Sequence, residues 1–114
     1  MESLYKIKFL IEHPNPLKLR NIMDLLLRKY KEKAVKIGGS LIIADDYGGN
    51  KTYLVKITVP RGEARTIEDL ISPTMRGIVV TIESTNPAVL SSVLKDIINT
   101  VKSSEPEVLI SLLE

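Results

Sequence analysis

The sequence has no cysteine, no tryptophan and no glutamine, and it has a single histidine and a single phenylalanine. Without cysteine, disulfides, thiol catalysis and zinc–thiolate sites are all excluded. No apolar run approaches the roughly 18–20 residues needed to span a bilayer, so a membrane partner is not expected. The opening Met1–Pro14 carries an acid at Glu2, and Lys6 and Lys8 punctuate its short apolar run, which makes it a poor signal peptide. A cytoplasmic location is the expectation. The missing Cys, Trp and Gln, set beside abundant Lys, Ile, Leu and Val, match the depletion of thermolabile side chains in thermophile proteins.

At 114 residues, the chain is long enough for one hydrophobic core but not for two, so residues 1–114 read as one domain. The hydrophobic share of 44% beside 26% charged residues is that of a folded chain and not of a disordered one. The net charge of +2 hides a polarity. Residues 1–57 hold 11 Lys/Arg against 6 Asp/Glu, and residues 58–114 hold 5 against 8, giving +5 and −3. Such a split bears on where partners dock.

The chain repeats itself. Ile11-Glu12-His13-Pro14-Asn15-Pro16 returns 71 residues later as Ile82-Glu83-Ser84-Thr85-Asn86-Pro87. Each copy closes a strand-like stretch and opens a helix-like one. Asn is a favoured N-cap, because its side-chain oxygen accepts an orphan backbone N–H of the first turn. Pro at the next position is pre-set for a helix and has no N–H to leave unpaired. Counted from each Asn, apolar residues then fall at the same offsets. They are Leu19, Ile22, Met23, Leu26, Leu27 and Tyr30 in one copy, and Leu90, Val93, Leu94, Ile97, Ile98 and Val101 in the other. Both sets describe a one-faced helical stripe.

Strand signals surround these helices. Tyr5, Ile7, Phe9 and Ile11 alternate with Lys6, Lys8 and Leu10. A run over about 35–44 contains Gly38-Gly39, a bulge or bend signal, and Asp46–Asn50 reads as a turn. Beyond it, Tyr53, Val55, Ile57 and Val59 alternate, so the two runs pair as a hairpin. Residues 77–83 form a further strand, and the tail 107–113 is a last strand or a short helix. Two β-α-β units over one sheet make a ferredoxin-like α+β sandwich. Its elements are strand 4–12, helix 16–33 and strand 35–44, then strand 77–84, helix 87–103 and strand 107–113. The strand at 51–59 is then an extra one, at the edge beside 35–44. Both helices cover one face and leave the other for a partner, often a second copy.

The residues that carry chemistry are few. His13 has no identifiable partner for acid–base work and reads as a loop residue. Asp45, Asp46 and Asn50 do not match the calcium-loop spacing and read as turn formers. The Gly pairs lack the strand and helix context of phosphate-binding loops. No cofactor or metal site is expected. Two basic groups remain as nucleic-acid or partner contacts. One is Arg28, Lys29, Lys31, Lys33 and Lys36, at and beyond the end of the first helix, where positive charge also complements the helix dipole. The other is Arg61, Arg65 and Arg76 around the connector 60–76, where arginine forks suit phosphate or carboxylate and local ion pairing is the plainer account.

Two stretches, Lys6–Tyr30 and Ile82–Leu90 with the following helix to Lys102, resemble the small dimerising subunit family of the KEOPS complex, which modifies adenosine in certain tRNAs. They cover under half of the chain. It departs from the family's Arg and Asn signature in the last helix, where it has Ser91, Lys95 and Asn99. The resemblance implies a non-catalytic, dimeric role in an RNA-processing assembly. The leading expectation is thus an oligomeric subunit or adaptor with protein or RNA partners. The alternative is a homo-oligomeric regulatory domain that binds a small molecule.

Overall fold

A computed structural model of the chain describes residues 4–37, 40–46, 52–58 and 77–113. Among them are six strands and two helices. In chain order these are β1 (Tyr5–Glu12), α1 (Pro16–Lys29), β2 (Ala34–Ile37), β3 (Ser40–Asp46), β4 (Thr52–Thr58), β5 (Ile78–Ser84), α2 (Pro87–Ser104) and β6 (Leu109–Leu112). The strands form one open sheet in the order β2-β3-β4-β5-β1-β6. Every neighbouring pair is antiparallel. The architecture is α+β, and the described residues form a six-stranded antiparallel sheet and two helices.

Both helices start as the repeat predicts. The Asn15 side chain accepts from the Leu17 N–H at 3.0 Å, and Asn86 accepts from Ala88 and Val89 at 2.9 and 3.2 Å. Each Asn is extended and each following Pro opens the helix. The first helix ends at Lys29, four residues short of the predicted 33. The Tyr30 carbonyl accepts from the backbone of both Lys33 and Ala34, at 2.9 and 3.0 Å, and so turns the chain into β2.

Register explains the core. Residues opposite each other in neighbouring strands share a face. Phe9 lies opposite Val80, which lies opposite Ile57, which lies opposite Leu41. The next such row is Ile7, Ile82, Val55 and Ile43. All of these are buried except the half-buried Ile7, and they join Leu19, Ile22, Met23 and Leu26 of α1 and Val89, Val93, Ile97 and Val101 of α2 in one cluster. Each such aliphatic side chain contributes about 1.5–3 kcal/mol on burial. The second stripe is rotated from its expected position. Val89 takes the deepest place at the start of α2, and Leu90 and Leu94 are only partly buried. Lys18 pairs with Glu105 at 3.7 Å and Lys29 with Asp96 at 2.9 Å, so the two helices lie side by side and antiparallel.

Two sequence expectations need correction. The run 35–44 is two strands, in which Ile37 pairs with Ser40 as β2 folds back on β3. The bulge or bend expected at Gly38-Gly39 lies outside the described residues. The strand expected at the edge is instead internal, because β4 pairs with β5 on one side and β3 on the other. The edge addition is the β2–β3 pair. The physical reason is backbone pairing: Thr52–Thr58 pair with β3 on one edge and Tyr53–Thr58 pair with β5 on the other, so neither edge of β4 is left open. The hairpin of β3 with β4 forms as expected, although the turn expected over 47–50 lies outside the described residues. The open choice for the tail resolves as a strand, with β6 paired to β1.

Candidate binding surface at the end of the first helix

The basic cluster sits where α1 turns into β2. Arg28 and Lys29 occupy the last turn of the helix, where cations offset the orphan carbonyls. Lys31 and Lys33 follow on the reversal, which curls over β3 and β4. There it forms a cavity of about 410 Å³ that Asp45, Tyr53 and Asp96 close from the other side. Asp45 lies opposite Tyr53 in the β3–β4 register, on the sheet face that carries the core. The Tyr53 hydroxyl donates to the Asp45 carboxylate at 3.2 Å, and the Lys33 ammonium donates to the same oxygen at 2.6 Å. Asp45 is therefore a strand residue that neutralises a lysine, and not the turn former its sequence context indicates.

Two of the five cations of the predicted footprint are spoken for. Lys29 is bound to Asp96 and also lies 5.8 Å from the Tyr30 ring centre. Lys33 is bound to Asp45. Among the described residues, Arg28 and Lys31 make no ion pair, and both face the cavity. Exposed pairs of this kind add little stability, yet they do remove charge from any extended contact with a polyanion. The acids escaped the sequence reading because Asp96 comes from α2 and Asp45 from β3, far along the chain. Only their position, once the strands are paired, brings them here.

Tyr30 forms the floor. It is buried, and that burial, followed by the nearby Tyr53, Asp96 and Asp45, holds its phenol well above the ordinary tyrosine value. Each neighbour disfavours a phenolate. Tyr30 is thus a neutral wall and not a base.

Lys36 stands apart from the other four. It lies opposite Leu41 in the β2–β3 register and lines a second cavity, of about 380 Å³, with Leu27, Ala34 and Leu41. Its Nζ is buried and, among the described residues, has no hydrogen-bond partner. Arg28 and Lys31 border this cavity as well as the first, so they form the ridge between the two. Arg61, Arg65 and Arg76 lie outside the described residues. His13 serves the helix start, because its Nδ1 accepts from the Asn15 N–H at 3.0 Å. No group of three or more metal-ligating side chains occurs among the described residues, and no described helix is long and apolar enough to cross a membrane.

No protein-family model, curated protein or solved structure matches the chain.

Proposed function

We propose that the chain is a non-catalytic subunit that associates with a second copy of itself through the open face of its sheet. The observation that carries this reading is the make-up of that face. Register puts Val35, Ile37 and Ile42 at one end and Leu10, Val79 and Leu109 at the other. Val35, Ile37 and Leu109 are each more than half exposed. Lys56 lies between the apolar ends, and Lys8, Lys6 and Glu83 lie beside the second along the same strands, with Lys6 directly opposite Glu83. A surface with apolar ends and both signs of charge can meet a rotated copy of itself, as a twofold interface requires. Water-facing apolar clusters of this kind mark interaction sites.

The connectivity supports a ferredoxin-like plait as the frame. With β1 between them, β5 and β6 run parallel, joined by α2. With β5 between them, β1 and β4 run parallel, and the connection contains α1 and the β2–β3 pair. The resemblance to the small KEOPS subunit fits a dimer in an RNA-associated assembly. The paired state of Lys29 and Lys33 favours contact with RNA through partners or through Arg28 and Lys31 alone.

Light scattering tests the association. A dimer or larger species at tens of micromolar is the expected result, and a monomer at high micromolar overturns the reading. Gel shifts at low salt test the RNA component, which fails if the wild type causes no retardation. A second reading, a domain that binds a small molecule, is favoured by one observation: the cavity of about 380 Å³ lined by Leu27, Ala34, Leu41 and the side chain of Lys36.

A further inference from the structure

We propose that β6 is a separate docking edge, and that its occupant is the β6 of another copy, paired antiparallel about Ser111. This contact lies at the rim of the sheet and does not need the open-face association. Among the described residues, β6 has β1 on one side and no strand on the other. Edge strands of soluble proteins are ordinarily blunted by a lysine, a proline or a bulge. Residues 108–113, Val-Leu-Ile-Ser-Leu-Leu, hold neither a charge nor a proline. Their pairing with β1 runs without a bulge. Leu109 and Leu112 are each more than half exposed, and Leu113 is close to half.

The ladder fixes which backbone groups this edge offers. The Leu113 N–H donates to the Lys8 carbonyl at 2.7 Å, so Leu113 turns its backbone toward β1. Bonded positions alternate along an antiparallel pair. Leu109 and Ser111 therefore also face β1, while Ile110 and Leu112 turn their N–H and C=O groups outward. A strand of opposite direction satisfies them only where outward residue meets outward residue. A twofold axis at Ser111 does this twice, setting Ile110 opposite the partner's Leu112 and Leu112 opposite the partner's Ile110. Each such pair exchanges both of its N–H···O bonds. An axis at Ile110 would need Val108 to offer its N–H as well, and that group is already bound to the Glu105 carbonyl at 3.1 Å.

The side chains match under the same pairing. On the helix side of the sheet, Ile110 meets the partner's Leu112. On the open side, Leu109 meets the partner's Leu113, and Ser111 meets its own counterpart across the axis. Serine is small enough for the close approach of a non-bonded pair. Aliphatic surface left exposed in the single chain is thus covered on both sides of the sheet. Charge agrees. In the register with β1, Glu12 stands beside Leu109 and Lys8 beside Leu113. Each open-side row then runs from Glu12 through Leu109 and the partner's Leu113 to the partner's Lys8. Its two ends carry opposite signs, and no like charges face each other. Symmetry makes the match reciprocal, which selects a second copy over an unrelated strand.

Amide exchange of the full chain, followed by NMR at low and at high micromolar concentration, tests the pairing. The Ile110 and Leu112 amides should exchange about threefold or more slowly at the higher concentration, because association alone gives them an acceptor. The Leu109, Ser111 and Leu113 amides, already bonded to β1, serve as the internal reference. Exchange at Ile110 and Leu112 that does not depend on concentration would overturn the proposal. Leu112→Pro should abolish the effect at Ile110 while sparing the β1 ladder, since the lost N–H points outward. Leu112→Lys should do the same without touching the backbone. Sedimentation separates this edge from the open face. Val35→Lys with Ile37→Lys, which spoils the face, should still give a dimer, and adding either Leu112 variant should make it a monomer. A face variant that is already monomeric at high micromolar would overturn the edge pairing and leave the face association standing. A face variant of unchanged size, with assembly lost in both Leu112 variants, would overturn the face and support the edge. Growth of the face variant beyond a dimer would mean head-to-tail pairing of β6 with β2, and would overturn the twofold.

Discussion

The two copies of the Ile-Glu-x-x-Asn-Pro start use the same backbone and hold it with different side chains. Two residues before each Asn, a side chain accepts the Asn backbone N–H: His13 in the first copy, at 3.0 Å, and Ser84 in the second, at 3.1 Å. Ser84 then does something His13 does not. Its hydroxyl donates to the Thr52 carbonyl at 2.9 Å, which ties the start of α2 to β4. Ser84 is buried, whereas His13 is only half-buried. Asn86 accepts two backbone N–H groups and Asn15 one. A local capping signal thus fixes where a helix begins, while a single added hydrogen bond decides how firmly that start is joined to the sheet.

Replacing the anchor itself should give the largest effect. Ser84→Ala removes the acceptor of the Asn86 N–H and the donor to Thr52 in a buried setting, so a loss of about 1–3 kcal/mol is expected. His13→Ala removes one acceptor near solvent, and the freed N–H can turn to water, so a smaller loss should follow. Urea denaturation of the two variants beside the wild type checks the contrast. Equal losses would show that the link to β4 contributes nothing and that the two starts are energetically equivalent.

The caps sharpen the same contrast at a smaller scale. Asn15→Ala and Asn86→Ala should each cost about 0.5–2 kcal/mol, with Asn86→Ala the larger because two N–H groups lose their acceptor. The denaturation midpoint of each variant reads this directly. If neither midpoint moves, the Asn side chains are not what holds the two starts.

These starts were legible in the sequence because capping involves residues two or three apart, and Asn-Pro states both halves of the device. The alternation in β1 and β4 was legible for the same reason. The place of β4 was not. Nothing within residues 52–58 says whether β5 or open solvent lies on their far side, and only the pairing of Lys56 with Thr81 and of Val55 with Ile82 answers that. The candidate site divides in the same way. The cations near the end of α1 stand in one short stretch and were visible. Their neutralisation by Asp45 and Asp96, and the separation of Lys36 into a cavity of its own, depend on contacts from β3, α2 and the β2–β3 register. Charge counted along a segment overstates the charge a partner meets.

The helix ends provide the finest comparison. At the same distance from each cap, the last buried stripe position is Tyr30 in α1's copy and Val101 in α2. Only the first copy places a titratable group there, and its burial, with Tyr53, Asp96 and Asp45 close by, holds the phenol above its usual value. In the unfolded chain the same phenol ionises near pH 10. Below that pH both states keep the proton and the group has no effect on pH dependence. Above it the unfolded chain releases a proton that the folded chain retains, so the wild type loses stability as pH rises toward the elevated folded value. Tyr30→Phe removes this titration and leaves the other tyrosines in place as an internal reference. The stability of the variant relative to the wild type should therefore be flat from pH 7 to about 9. It should then rise in the variant's favour by somewhat under about 1 kcal/mol near pH 10.5. Urea titrations of both proteins across that interval provide the measurement. A difference that stays flat through pH 11 would mean that Tyr30 ionises as readily in the folded chain as in the unfolded one, and that the acids around it do not reach its hydroxyl.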